Sequence, residues 1–249
     1  MAGYEGTPWL YKTCEIKYEE KDAMSDTELI SIICDSVRNK KPFCISRYGD
    51  GEITVMSQDL ALTQEWLRKN VAWYDGYTYC GVKLPDYDMR DRLIQAAKDS
   101  DAIGVFFNDA FIDRVFSSIH FKHEKYFYAF ANVYFCYKKE FVDLIKENPP
   151  IVVGRNAKRY SELLKKELGV TVPGYYTEIT CPKDIEPTMD WMESVEHDWA
   201  LVSAGCNANI ICTQMKKRTG KVYIDLGQGT DTLLDPKYEG RYYFYKEEK

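Results

Sequence analysis

The chain has 249 residues, 45% of them hydrophobic and 29% charged, so it can bury a full core and is neither low-complexity nor collagen-like. Mean hydropathy is -0.44, and no run approaches the roughly 18 apolar residues of a membrane helix. The net charge of -6 argues against non-specific nucleic-acid binding, although a single loop can still be locally positive for an anionic small ligand. Residues 1–6 lack the basic patch and apolar stretch of a signal peptide, so the expected address is the cytoplasm.

In chain order, residues 1–24 read as an irregular arm with Trp9 and Tyr11 as anchors. The domain then runs from 25 to 249 with no linker and no repeat. Ser25-Asp26-Thr27-Glu28 is a capping box, and Leu29, Ile32, Ile33 and Val37 behind it predict a helix stopped near Pro42. Phe43–Ser46 is a strand that runs into a tight turn, Arg47-Tyr48-Gly49-Asp50-Gly51-Glu52. Residues 60–72 and 86–98 predict helices, 74–84 a loop, 102–106 a strand and 111–119 a helix. The run 126–137 is nearly all apolar or aromatic; a packed helix fits it, but a buried strand is preferred. Residues 140–146 follow as a helix.

From there the rhythm is strand 151–153, helix 158–168 closed by Gly169, a short strand 170–172 and helix 186–195. Strand 199–203, a turn at Gly205-Cys206-Asn207, a helix lined by Ala208, Ile211, Cys212 and Met215, and strand 221–227 complete it. Strands alternating with helices of this length predict one α/β domain, a mainly parallel sheet covered by helices on both faces. Such folds bind ligands at the carboxyl ends of their strands. Here three strands end in glycine turns, at Gly49, Gly154 and Gly205.

The eight cysteines include no CxxC pair and mostly fall in apolar segments; they read as reduced, buried small hydrophobes. His120 and His123 could share a helical face as a metal pair, but lie apart from the cysteines in sequence. The 20 tyrosines suit carbohydrate or interface contacts and equally serve as core and boundary fillers. The Tyr242–Tyr245 stretch could pack at an edge or at the interface of a homo-oligomer.

The sharpest chemical signal is Asp50-Gly51-Glu52. On a kinked loop the two carboxylates can converge on one hard cation, Mg²⁺ or Mn²⁺, and Arg47 upstream can fork onto a phosphate. The amides after Gly205, including Cys206 and Asn207, open a helix and could hold a phosphate; the Gly154-Arg155-Asn156 turn could do the same. Each glycine turn is also a plain β–α connection. Asp225, at a strand end, could bind ribose or sugar hydroxyls, orient another group, or cap the following loop. Asp109 and Asp231 lie in polar loops and are conceivable general bases. His197 reads as a helix cap.

Ser46-Arg47-Tyr48-Gly49-Asp50-Gly51-Glu52 resembles the aromatic-Gly-Asp-Gly-Glu motif of bacterial GT-D-type glycosyltransferases. The stretch from Leu201-Val202-Ser203-Ala204-Gly205 to Ile224-Asp225-Leu226-Gly227 is also similar to that family. The resemblance covers about residues 25–235. It implies a Rossmann-like domain, a nucleotide-sugar donor with a UDP-sugar expected first, and a divalent cation. Asp50 and Glu52 would stand in the DxE metal motif, and a glycan or glycoconjugate would be the acceptor, as in surface-polysaccharide assembly. A metal-dependent nucleotide-sugar hydrolase or phosphoesterase is the alternative enzyme; a non-catalytic nucleotide- or carbohydrate-binding protein is the third reading.

Overall fold

The computed structural model describes residues 7–238 and 241–246, so residues 1–6 of the expected arm and 239–240 and 247–249 of the expected domain lie outside the described chain. Seven strands form one sheet: β1 Phe43–Tyr48, β2 Ala102–Val105, β3 Tyr126–Tyr128, β4 Ile151–Gly154, β5 Tyr175–Tyr176, β6 Trp199–Ser203 and β7 Val222–Asp225. Their order is β3-β2-β1-β7-β6-β4-β5 and every pairing is parallel. At the centre, Ile45 of β1 lies between Ala102 of β2 and Ile224 of β7.

Strand side chains alternate between two apolar layers, as the two-residue period demands. Cys44, Ile151, Val153, Ala200, Val202 and Tyr223 face one layer; Phe43, Ile45, Val152, Trp199, Leu201 and Ile224 face the other. The first layer is covered by α2 Asp50–Met56, α3 Gln64–Asn70, α4 Tyr87–Asp99, α5 Ala110–Ser118, α8 Ile185–Ser194 and α9 Cys206–Thr219. The second is covered by α1 Asp26–Arg38, a 3-10 segment Ala131–Tyr137, α6 Lys139–Glu147 and α7 Ala157–Leu168, with the end of α10 Gly229–Leu234. The crossovers β1→β2, β2→β3, β5→β6 and β6→β7 step the same way across the sheet over the first face. β3→β4 and β4→β5 step back over the second, so all six share one hand. This is the α/β domain with a parallel, doubly covered sheet that the sequence predicts.

The Ser25–Glu28 capping box forms: Ser25 Oγ accepts from the Glu28 amide at 3.2 Å, and Glu28 Oε2 accepts from the Ser25 amide at 2.8 Å. All eight cysteines are unpaired, six of them buried. Trp9 anchors the arm against Phe111, with the Arg114 guanidinium over its ring. None of the helices among the described residues is long and apolar enough to cross a membrane.

Four elements differ from the sequence expectation. The Asp50-Gly51-Glu52 turn is the first turn of α2, capped at Gly49. The helix expected over 60–72 shrinks to Gln64–Asn70 because Thr63 caps it, its Oγ1 accepting from the Trp66 amide. The run 126–137 is a strand for three residues only and then winds into 3-10 helix, which turns Asn132 inward beneath the sheet's carboxyl end. Val170–Val172 is not a strand: beyond left-handed Gly169, the Val170 amide donates to the Leu164 carbonyl and its side chain seals the end of α7. The edge strand comes later, at Tyr175–Tyr176.

Candidate active site

At the carboxyl ends of the strands lies a cleft of about 840 Å³. Its floor is Arg47, Gly49 and Asp50 at the end of β1, with Ser203–Gly205 after β6 and Gly227–Gln228 after β7. Arg155 and Asn156 follow β4. Its walls carry Tyr77 and Tyr79 on one side and Phe106, Tyr128 and Phe130 on the other. Strand order explains the position. From β1 the chain moves outward to β2 and β3, and from the far edge it returns to β7, so connections diverge beside β1 and leave a crevice.

Arg47 is the centre of this floor. Its amide donates to Asp225 Oδ2 at 3.0 Å, and its Nε lies 3.5 Å from the same oxygen. Its Nη1 donates to the Ala129 carbonyl at 3.1 Å and to Asn132 Oδ1 at 3.4 Å, and its carbonyl accepts from Asn209 Nδ2 at 2.8 Å. Asn132 Nδ2 in turn donates to the Leu226 carbonyl. Arginine and aspartate, 178 residues apart in sequence, thus form one largely buried ion pair. Gly227 makes room for it: φ is +45°, and a Cβ there would stand 1.4 Å from Arg47 Nη2.

Asp50 and Glu52 occupy the first and third positions of α2, and side chains two apart on a helix do not face each other. Asp50 is exposed on the cleft; its Oδ1 accepts from the Gly51 amide at 3.0 Å and its Oδ2 from the Tyr79 hydroxyl. Glu52 is half-buried and turns back to accept from the Gly49 amide at 3.0 Å. Burial first, and then the Asp225 carboxylate, push the Glu52 carboxyl above its ordinary value, with Arg47 opposing. Burial likewise raises Asp225, against the pull of Arg47. Burial, and then Asp50, hold the Tyr79 phenol far above its usual value, so it stays a donor.

The loop carrying Tyr77 and Tyr79 is tied down at the start of α9, where the Cys206 amide donates to the Cys80 carbonyl at 3.0 Å. Gly205 permits this contact: its φ is +55°, and a Cβ would lie 2.4 Å from the Cys80 oxygen. The Cys206 amide, one of the expected phosphate donors, is therefore committed to the loop. Asn207 is fully buried beneath it, and neither its Oδ1 nor its Nδ2 has a hydrogen-bond partner among the described residues.

Of the residues singled out from sequence, Arg47, Gly49, Asp50, Glu52, Arg155 and Gly205 line the one cleft. Gly154, Cys206, Asn207 and Asp225 stand outside its lining, and Asp225 touches it through Arg47. Asp231 lines the cleft, its Oδ1 accepting from Asn156 Nδ2 at 2.7 Å. Asp109 instead caps α5, accepting from the Phe111 and Ile112 amides at 2.9 and 3.2 Å. His197 is buried between the Val195 carbonyl and the Tyr223 hydroxyl, and burial lowers its pKa. His123 contacts the Ser100 carbonyl and the Lys125 amide, so its ring nitrogens are not paired with His120 on a metal. Sequence reasoning missed Tyr79, Asn132 and Asn209, and it placed Asn156 only in the candidate turn after β4. Asn132 was visible as a lone amide inside an otherwise apolar run, the pattern of a buried polar group with a fixed partner.

No group of three or more His, Cys, Asp or Glu side chains suited to a metal occurs among the described residues. A site in which one or two carboxylates hold Mg²⁺ or Mn²⁺ together with substrate phosphates needs no such group. The cleft fits that kind. Asp50, Glu52, Asp225 and Asp231 set four acids in or beside the cleft against Arg47 and Arg155, and a diphosphate entering it would need further positive charge.

The model of the GT-D fold-like domain family matches residues 24–233. The chain belongs to this family of GT-D-like domains, the class that the fold and the cleft define. No curated protein matches the sequence. Three solved structures share the fold. One, described as a new glycosyltransferase (domain of unknown function 1792) from Streptococcus sanguinis, has a TM-score of 0.54 at 12% identity, covering 92% of this chain and 95% of that one. A second, described as showing that this conserved domain has a distinct glycosyltransferase fold, gives 0.52 at 17% identity over 88% and 83%. A selenomethionine-substituted structure of the same domain gives 0.51 at 16% identity over 90% and 89%.

Proposed function

We propose that this chain is a glycosyltransferase that moves a sugar from a nucleoside-diphosphate sugar, a UDP-sugar first among them, to a hydroxyl of a glycan or glycoconjugate. The observation that carries the reading is the Arg47–Asp50 floor: a cation fixed by Asp225 beside an exposed carboxylate, at the sheet's switch point, in a family of glycosyltransferase fold. In the reaction the acceptor oxygen bonds to the anomeric carbon, the carbon–phosphate oxygen bond breaks, and the nucleoside diphosphate leaves with the electron pair. The acceptor proton passes to a carboxylate, for which Asp231, held by Asn156, is the candidate lining the cleft.

Arg47 and Arg155 neutralise phosphate charge as the leaving group forms. Asp50 is the principal ligand assigned to Mn²⁺ or Mg²⁺, with Glu52 behind it on the same turn. The cation, when bound, supplies Lewis-acid stabilisation of the leaving diphosphate. Asp225 positions Arg47 and does not reach the substrate.

Calorimetric titration of UDP, GDP, CDP and their sugars, with and without Mn²⁺, tests the reading on the wild type and on Asp50→Ala. Binding that needs Mn²⁺ and weakens at least about tenfold in the variant supports it. No binding by any of them, or equal binding by the variant with Mn²⁺, refutes it. Turnover that releases free sugar at a rate indifferent to added glycans would make the protein a hydrolase instead.

A further inference from the structure

The loop between α3 and α4 carries a feature that the nucleotide chemistry does not use. Tyr79 lies parallel to Trp73, ring centroids 5.4 Å apart and planes at 18°. Trp73 is partly buried against the first core layer and backs the ring, whereas Tyr79 itself is 52% exposed and lines the cleft. Tyr77 on the same loop is 47% exposed and lines it too. The opposite wall is built differently. Phe106, Tyr128 and Phe130 pack edge-to-face with centroids 5.0 to 6.0 Å apart, none of them stacked flat on another, although Tyr128 remains exposed.

Tyr79 therefore offers an open aromatic surface to the cleft while Trp73 backs it from behind, the arrangement in which a ring can take a stacked ligand. Its edge is fixed as well: the Tyr79 hydroxyl donates to Asp50 Oδ2. Polar groups flank it, with Thr78 beside it in sequence and Thr180 across the loop, both lining the cleft.

We infer that the Trp73–Tyr79 stack is a platform for a pyranose ring, which lays its apolar C–H face on Tyr79 and turns its hydroxyls to Asp50, Thr78 and Thr180. The inference rests on the transferase reading for its choice of ligand. Asp50 marks the diphosphate end of the donor. A nucleobase is separated from the β-phosphate by a ribose and the α-phosphate, so a ring bonded to Asp50 stands at the sugar end and not at the base end. The platform takes a pyranose, either the donor's own sugar or the terminal residue of the acceptor, and the two sources are separable.

Two measurements on the full chain test it, on wild type, Trp73→Ala, Tyr79→Ala and Tyr79→Phe, each checked by thermal melting. The first is saturation-transfer NMR with methyl glucoside, methyl galactoside and methyl N-acetylglucosaminide. The second is calorimetry of UDP against UDP-glucose, UDP-galactose and UDP-N-acetylglucosamine with Mn²⁺, read as the affinity ratio of sugar nucleotide to UDP. The ratio removes any effect that Tyr79 exerts on UDP through Asp50. Methyl-glycoside binding that weakens about tenfold in both alanine variants and survives in Tyr79→Phe places the acceptor on the stack. A tenfold fall in the ratio with the same pattern places the donor sugar there. If neither binding nor ratio moves in the alanine variants, or if wild type shows neither glycoside binding nor a ratio above one, the platform is refuted. UDP binding that remains intact in that case leaves the transferase reading standing, whereas loss of all nucleotide binding in the wild type removes that reading on its own account.

Discussion

Gly227→Ala isolates the steric claim on which the floor of the cleft depends. The substitution asks an alanine to hold φ of +45°, which costs about 1 to 2 kcal/mol. It also places a methyl group 1.4 Å from Arg47 Nη2 and 2.2 Å from its Cζ, so the guanidinium must leave. The bond from Nη1 to the Ala129 carbonyl goes with it, a charge-assisted hydrogen bond worth about 1.5 to 3 kcal/mol. Together these give about 2.5 to 5 kcal/mol, or roughly 5 to 20 °C in melting temperature for a chain of this size. Urea denaturation of the single and double variants with Arg47→Ala closes a thermodynamic cycle. In the Arg47→Ala background the glycine substitution should cost only the backbone strain, about 1 to 2 kcal/mol. An equal cost in both backgrounds would show that the two residues do not compete for the same space, and the account of the Asp-x-Gly turn would fall.

The Glu52 carboxyl sits above its ordinary value in the folded chain, so the folded state keeps its proton longer than the unfolded one. Wild-type stability relative to Glu52→Gln therefore declines as pH rises from the ordinary carboxylate range through the raised value, then levels off. Urea titrations between about pH 4 and 8 read this directly, and a pH-independent difference contradicts the assigned burial and the Asp225 repulsion. Gly205→Ala drives a Cβ into the Cys80 carbonyl and breaks its bond from the Cys206 amide; it should cost about 2 to 4 kcal/mol. It should also speed proteolytic cleavage within residues 71–84, and unchanged cleavage would mean that the loop is held by other contacts.

Periodicity and punctuation were enough for most of the scaffold. Ser25 and Glu28 close the expected box, and the predicted apolar stripes of α1 and α9 pack into the second and the first core layer. Reading failed where local pattern is weak. The aromatic run 126–137 has no period of two, and its 3-10 turn is set by Asn132 reaching Arg47 and Leu226, partners 85 and 94 residues away. The Asp50–Glu52 segment reads as a loop because two glycines flank the aspartate, but Glu52 accepting from the Gly49 amide stabilises a helix start. The consequence is chemical as well as structural: on the helix turn Asp50 stands exposed on the cleft, while Glu52 turns back to the Gly49 amide behind it. Asp225 was legible as important, but its partner was not, since an ion pair joining the ends of β1 and β7 exists only once the sheet is assembled.

The loop bearing Tyr77 and Tyr79 meets the body of the fold at α9 through a main-chain oxygen. A carbonyl carries no record of its own side chain. What the fastening demands is glycine at position 205, on the receiving side. Tyr77 and Thr78 take no part in this fastening, so on the proposed reading a sugar-facing wall could change there while Arg47, Asp225 and Gly227 hold the other end of the cleft. Where the platform reading holds, selectivity and anchoring lie on separately mutable parts of the chain, and grafting the 71–84 segment between members of the fold would alter sugar preference without loosening the fastening at Gly205.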